Sequence, residues 1–215
     1  MREFYTYFLE KNILGGKFPI YYRLDENGGG PLFIEKLKNY NFPKVNSLME
    51  MCSGPGFIGY WLKHKYKIPK LILVDKHEPL TDSIQKTNEV NEWNDVSFFI
   101  SDAFEQYDGE SVDMIVSNPP HLASDEQWEE YISKMPAGQN YRVLVDADLD
   151  FHKKFLGKLS TYLNPNGYLA LWENDGYIDI QTLQDINPNL KLIEWFYTNE
   201  DVGLYFVLFQ LLPNP

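Results

Sequence analysis

The sequence predicts an α/β domain in which seven strands form a mostly parallel sheet, helices cover both faces, and an antiparallel hairpin closes the C-terminal end. Three observations carry this. From about residue 45 onward, short β-branched or aliphatic runs alternate with amphipathic stretches, the pattern of strand and crossover helix. The glycine turn Ser53-Gly54-Pro55-Gly56 joins the first run to the first amphipathic stretch. The last two apolar runs are separated only by Thr198-Asn199-Glu200-Asp201, too short for a parallel crossover and therefore a hairpin.

Residues 1–44 read differently: Gly15-Gly16, Gly28-Gly29-Gly30-Pro31 and Phe42-Pro43 break them into short pieces, with one helix expected at 31–40. Beyond them the apolar runs place strands at 47–52, 71–75, 96–100, 112–117, 167–173, 192–198 and 203–211. The amphipathic stretches between place helices at 57–66, 79–91, 124–134, 148–162 and 177–185. No internal repeat, low-complexity tract or second domain is visible. The chain divides into an N-terminal segment, 1–44, read as a cofactor lid or a substrate-contacting part, and the domain proper, 45–215.

A length of 215 residues suits one domain, and 44% hydrophobic with 23% charged residues is ordinary globular composition. No apolar run approaches the roughly 20 residues of a membrane helix. The start, Met1-Arg2-Glu3-Phe4-Tyr5, lacks the order of a secretory signal, and the single cysteine, Cys52, forms no internal disulfide. A cytoplasmic protein is expected. The formal net charge of -12 weighs against a partner made mostly of phosphate. Lys63, Lys65, Lys67 and Lys70 form the one basic cluster and read as a solvated helix C-terminus, with nucleic acid kept as the alternative.

The chemistry collects at strand ends. A glycine turn between strand and helix lets backbone approach a ligand while helix-terminal amides face an anionic group. Gly54-Pro55-Gly56-Phe57-Ile58-Gly59 satisfies G-x-G-x-x-G, which by itself suits NAD equally well. Asp75 ends the second strand, where a carboxylate accepts both hydroxyls of a ribose. The third strand ends in Ser101-Asp102-Ala103-Phe104, an acceptor for an adenine amine and a ring to cover the base. The fourth runs Asp113-Met114-Ile115-Val116-Ser117 into Asn118-Pro119-Pro120-His121. Two prolines halt the strand and leave the Asn118 side chain and the Pro119 carbonyl without ladder partners. A planar NH2 group can give one hydrogen to each, and His121 is placed to lie flat against it. Glu173 and Asn174 are expected at the rim of the same cleft. Tyr21, Tyr22 or Gly28-Gly29-Gly30 are candidates for a lid.

Glu50-Met51-Cys52-Ser53-Gly54-Pro55-Gly56, with Asp75, Asp102 and Asn118-Pro119-Pro120, resembles the class I S-adenosylmethionine-dependent methyltransferases that methylate planar nitrogen, whose sheet is the seven-stranded Rossmann-like one. Within that group, Leu149-Asp150-Phe151-His152-Lys153-Lys154 and Leu163-Asn164-Pro165-Asn166-Gly167-Tyr168-Leu169 look like the HemK-type protein-glutamine methyltransferases, which act on release factors or a ribosomal protein. The resemblance implies S-adenosylmethionine as cofactor, held by Glu50, Cys52, Ser53, Gly54 and Gly56 near its methionine part. It places Asp75 and Lys76 at the ribose and Asp102, Ala103 and Phe104 near adenine. Asn118, Pro119, Pro120 and His121 would form the acceptor site, with Asn118 also touching the cofactor. His121 stands where the family commonly has Tyr or Phe. Only about 45 residues precede the glycine loop, where HemK-type enzymes usually carry a helical substrate domain.

The leading expectation is therefore methylation of a protein glutamine amide, with no metal and no covalent enzyme intermediate. The same Asn-Pro-Pro device fits the exocyclic amine of adenine in RNA or DNA. A cofactor-binding module without turnover would have no use for an amide clamp, and a dehydrogenase leaves the fourth strand end unexplained. His64, His77 and His152 show no metal-ligand spacing and read as surface or helix-end residues.

Overall fold

The computed structural model describes residues 3–9, 18–23, 26, 29–124, 126–127, 129, 133 and 145–213. Two strands, β1 (Tyr5–Leu9) and β2 (Phe18–Tyr22), form an antiparallel pair of their own. After α1 (Gly30–Leu37), strands β3 (Ser47–Met51), β4 (Lys70–Asp75), β5 (Val96–Ile100) and β6 (Val112–Ser117) alternate with α2 (Phe57–Tyr66) and α3 (Leu80–Asn91). The chain continues through α4 (Asp150–Gly157), α5 (Leu159–Tyr162), β7 (Leu163–Asn174), α6 (Ile180–Ile186), β8 (Leu190–Asn199) and β9 (Leu204–Leu211).

The seven-stranded sheet has the order β5-β4-β3-β6-β7-β9-β8. Its first five strands are parallel, and β9 runs antiparallel to both β7 and β8, so the expected α/β class and terminal hairpin are found. The central strands are buried on both faces, which is why their sequences are apolar without alternation; Leu71, Ile72, Leu73 and Val74 are at most 2% exposed. One core cluster joins Leu48, Leu71 and Leu73 to α1 and α2 through Phe33, Phe57, Tyr60 and Trp61. The other joins Met49, Ile72 and Ile115 to Phe151, Phe155 and Leu159 of α4 and α5.

The order in which strands are added to the sheet reverses between the parallel neighbours β3 and β6, and a crevice opens at the carboxyl ends of strands at such a switch point. Met51 and Ser117 are paired there, and the Ser117 hydroxyl donates to the Met51 carbonyl at 2.8 Å. Cys52 and Asn118, the next residue on each strand, leave the sheet on the two sides of that crevice.

Several local expectations change. The N-terminal segment contains the β1–β2 pair, which docks on α3: Tyr21 N–H donates to Thr87 Oγ1 at 2.9 Å, and Asn91 Nδ2 donates to the Pro19 carbonyl at 2.8 Å. The helix expected at 148–162 is two, because Lys158 leaves the helical region at φ -102, ψ 3. Strand β7 begins earlier than expected, and its register with β6 shifts between Val112 and Met114. The helix expected at 124–134 lies largely outside the described residues. No described helix is long and apolar enough to cross a membrane.

Three of the four lysines in the basic cluster are not solvated helix-end charges; only Lys67, at the C-cap of α2, is exposed. Lys63 is 5% exposed, and its ammonium donates to the carbonyls of Ile68 and Pro69 at 2.9 and 2.8 Å and to Asp95 at 2.5 Å. Lys65 donates to the carbonyls of Lys38 and Tyr40, and Lys70 pairs with Glu110. These cations tie the C-terminal end of α2 to its neighbours.

Candidate active site

Helix α2 opens on Gly56 at φ +86 with no side-chain cap. Gly54 also has positive φ, at +50, and so does Cys52, at +56, so the turn folds back under the strand ends in a backbone shape that L side chains rarely adopt. A Cβ on Gly56 would meet Tyr60 and Leu73 side chains at 2.7 and 2.8 Å. Glu50, the acid of the preceding strand, supplies the missing cap by accepting Gly59 N–H at 2.7 Å. It is 2% exposed and adjoins the cleft from below, where burial pushes its carboxyl well above the usual carboxylate range.

Above the turn lies a cleft of about 440 Å³, within the size range of small-molecule sites. Cys52, Ser53, Gly54 and Pro55 form its floor, and Asp75, Lys76, Asp102, Ala103, Asn118 and Pro120 line it from the other strand ends. Asp75 is fixed before any ligand arrives: its two oxygens accept Gly54 N–H and His77 N–H, each at 2.9 Å. Burial raises its pKa, and those amides oppose the rise. Asp102 accepts from Lys154 Nζ at 3.1 Å. Ala103 follows at φ +51.

Pro119, His121, Phe104, Glu173 and Asn174, all predicted at the site, do not line the cleft. Phe104 is 1% exposed and lies in the core, stacked on Tyr162 with ring centroids 4.5 Å apart; Phe57 and Phe151 are the phenylalanines that line the cleft. Glu173 is fully buried rather than at the rim. Asn174 shapes the turn after β7, donating to the Val202 carbonyl and accepting Gly176 N–H. Of the lid candidates, Gly29 and Gly30 line the cleft, Gly28 lies outside the described residues, and Tyr21 and Tyr22 remain in β2. Glu26 also lines the cleft, its carboxylate accepting from Ser83 Oγ at 2.5 Å and Arg23 N–H at 2.8 Å; nothing in its local sequence signals this.

At the end of β6, Pro119 and Pro120 follow Asn118 with no cis peptide bond. His121 Nε2 lies 2.8 Å from Asn118 Oδ1, so the ring bonds the edge of the amide. Behind it His121 Nδ1 stands 3.6 Å from Glu173 Oε2. The other Glu173 oxygen is 3.1 Å from His152 Nε2, and His152 Nδ1 is 2.6 Å from Asp146 Oδ2. His152, expected at a surface or helix end, is therefore a buried member of an alternating chain of acids and imidazoles. No group of His, Cys, Asp and Glu among the described residues is arranged to hold a metal ion.

A glycine turn at the topological switch point, acids at the ends of β4 and β5, and this strand order define the fold of the S-adenosylmethionine-dependent methyltransferases. The family model for the methyltransferase small domain matches residues 21–140, more than half of the chain, and the chain belongs to that family. It is 29% identical over 130 residues to a release factor glutamine methyltransferase of Fusobacterium nucleatum, covering 58% of this chain and 36% of that protein. It is 26% identical over 133 residues to a ribosomal protein uL3 glutamine methyltransferase of Francisella tularensis, covering 59% and 41%. The chain thus matches well under half the length of these two relatives.

Among solved structures, the Thermus thermophilus 16S rRNA N2 G1207 methyltransferase, in complex with AdoMet and guanosine, superposes with a TM-score of 0.62 at 18% identity, over 98% of this chain and 51% of that one. The N-methyltransferase NodS of Bradyrhizobium japonicum gives 0.54 at 14% identity, over 86% and 94%. At these identities the likeness is one of fold. S-adenosylmethionine is the cofactor of this family and fold, and the cleft suits it: a paired-amide carboxylate at one strand end, a second carboxylate one strand away, and the apolar side chains of Ile58, Leu80 and Phe151 between.

Proposed function

We propose that the chain transfers a methyl group from S-adenosylmethionine to a planar nitrogen, and that the acceptor is the side-chain amide of a protein glutamine. The observation that carries this reading is Asn118: it ends a buried strand beside the glycine turn, borders the cleft, and is followed by two prolines that cannot extend the ladder. The names of the relatives, glutamine methyltransferases of a release factor and a ribosomal protein, support the choice of acceptor.

Bound in the cleft, the cofactor supplies an electrophilic methyl on a cationic sulfur. The chain's own residues do the rest. Asp75 orients the ribose, the turn at Gly54 and Gly56 admits the methionine part, and Ile58, Leu80 and Phe151 exclude water. Asn118 Oδ1 and the Pro119 carbonyl would accept hydrogen bonds from the two hydrogens of the acceptor NH2, drawing charge toward the nitrogen and aligning it for direct displacement; the N–C bond forms as the sulfur–methyl bond breaks, the neutral thioether leaves, and the nitrogen gives up one proton to water.

The second reading, an exocyclic amine of a nucleic-acid base, draws on the rRNA methyltransferase whose fold covers nearly the whole chain. The internal pairing of Lys63, Lys65 and Lys70 weighs against it. Incubating the protein with methyl-labelled cofactor in a cell lysate separates the two: label in protein, lost with Asn118→Ala, supports the glutamine reading, and label in RNA or DNA overturns it.

A further inference from the structure

The acid–imidazole chain behind Asn118 has no part in the amide clamp described so far. Three of its members, Asp146, His152 and Glu173, are at most 3% exposed. Both nitrogens of His152 face carboxylates, so the ring donates from both and is an imidazolium. Burial works against that charge, but Glu173 and Asp146 outweigh it and lift the pKa to about 9. Burial likewise opposes the charge of Glu173, and His152 and His121 hold its carboxyl below the usual range. Asp146, His152 and Glu173 together carry one net negative charge.

That charge points at His121. Glu173 Oε2 and His121 Nδ1 are both buried, and neither has a hydrogen-bond partner across their 3.6 Å gap. The other titratable groups near Glu173 are Tyr177, Tyr205 and the Cys52 thiol, and burial raises all three, so they stay neutral near pH 7. An amide has two nearly isosteric ends, and its hydrogen-bond partners decide which way it faces. If His121 carries one proton, Glu173 draws it to Nδ1 and leaves Nε2 an acceptor, which only the NH2 end of Asn118 can satisfy. Oδ1 then faces away from the ring. If the proton is on Nε2, the ring donates to Oδ1, and the NH2 end turns to Gly29, where an added Cβ would lie 2.9 Å from Asn118 Nδ2. Gly29 is part of the cleft wall.

We propose that His121 is a positioning residue that selects which end of the Asn118 amide faces the acceptor, with Glu173 holding the single His121 proton on Nδ1 in the productive form. With the proton on Nδ1, Asn118 offers its oxygen to the acceptor N–H. With a proton on Nε2, it offers an NH2 group, which cannot accept. The observed approach of Nε2 to Oδ1 belongs to the second, non-productive arrangement. This inference rests on the reading that Asn118 clamps an acceptor N–H.

The test has two arms on the full chain. Nitrogen NMR of histidine- and asparagine-labelled protein at pH 7.5 reads the His121 ring tautomer and the Asn118 side-chain amide, with His121→Phe giving the ring assignment. Expected are the Nδ1–H tautomer in the wild type, its loss in Glu173→Gln, and an Asn118 amide shift that changes with it. The second arm measures initial methyl incorporation from labelled cofactor into lysate acceptors at the same pH. Glu173→Gln should lose about tenfold in rate, the worth of one positioned hydrogen bond, and should cost nothing further when added to His121→Phe. An Nε2–H tautomer in the wild type, an Asn118 amide that ignores Glu173→Gln, or losses that add in the double variant overturn the inference. Full incorporation by Asn118→Ala overturns the clamp reading instead and leaves the NMR result standing.

Discussion

Glu50 accepts the Gly59 amide hydrogen at 2.7 Å, and a methyl group placed on Gly59 would meet that same oxygen at 2.7 Å. The third glycine of the turn is therefore required by the acid of the preceding strand, and not by the ligand. Leu71 and Leu73 close the other side of the Gly59 site at 2.9 and 3.1 Å, so the helix cannot move off without disturbing β4.

The stability consequences separate by chemistry. Gly59→Ala should cost about 1–3 kcal/mol as an overpacked site. Glu50→Ala should cost about 1–3 kcal/mol for a buried amide left unpaired. Glu50→Gln keeps an acceptor and removes a carboxyl that burial already disfavours as an anion, so its cost should be smaller. Urea unfolding of the three variants checks the order. Equal losses for Glu50→Gln and Glu50→Ala would mean that the helix needs the charge and not the acceptor.

Asp75 holds two backbone amides and faces the cleft, so Asp75→Ala should weaken S-adenosylmethionine binding by at least tenfold, from about 1–3 kcal/mol per unpaired polar group. Asp75→Asn should lose less, because it keeps one acceptor. Calorimetry with the cofactor decides, and unchanged affinity in Asp75→Ala would remove the ribose assignment.

The sheet is legible in the sequence because its strands are buried on both faces, so Leu71 to Val74 or Met114 to Val116 have no other reading. The acids lining the cleft are legible for a related reason: they stand at strand ends, where a change from apolar to Asp or Asn marks the sheet edge. Phe104 misleads because the chain reverses at Ala103, φ +51, and sends the next side chain into the core. The pairing of Asp146 with His152 and Glu173 is not legible. These residues sit on a loop, a helix and a strand, and only folding opposes their charges. Lys63 misleads for the same reason, its partner Asp95 lying 32 residues on.

Because Lys63, Lys65 and Lys70 are already paired within the fold, non-specific RNA or DNA affinity should be weak at physiological salt, with a shallow dependence of log K on log salt. Fluorescence anisotropy with a labelled single strand measures it. A steep slope that Lys65→Gln and Lys67→Gln abolish would favour the nucleic-acid reading. Lys63→Met is a stability variant, expected to leave the buried Ile68 carbonyl unpaired and to lower the unfolding midpoint without changing the slope.

The chain Asp146–His152–Glu173 should make folding stability fall on the alkaline side. His152 has a folded pKa of about 9 against an ordinary 6.5, so its contribution is fully present below about pH 6.5 and is lost as pH rises through about 9. Asp146 and Glu173 are held below their ordinary values, chiefly by His152 working against burial. Their contribution is present above the unfolded carboxylate range and is lost as pH falls through the lowered values. Stability should therefore be greatest between about pH 5 and 6.5 and decline by on the order of 3 kcal/mol toward pH 9, since each tenfold change in proton affinity is worth about 1.4 kcal/mol. Urea midpoints at pH 6, 7, 8 and 9 measure the slope. His152→Gln keeps hydrogen-bonding capacity without the titration, so it should be less stable at pH 6 and lose most of the decline. A wild-type midpoint that stays level to pH 9 would mean that the imidazolium between the two carboxylates contributes nothing to holding α4 against β7.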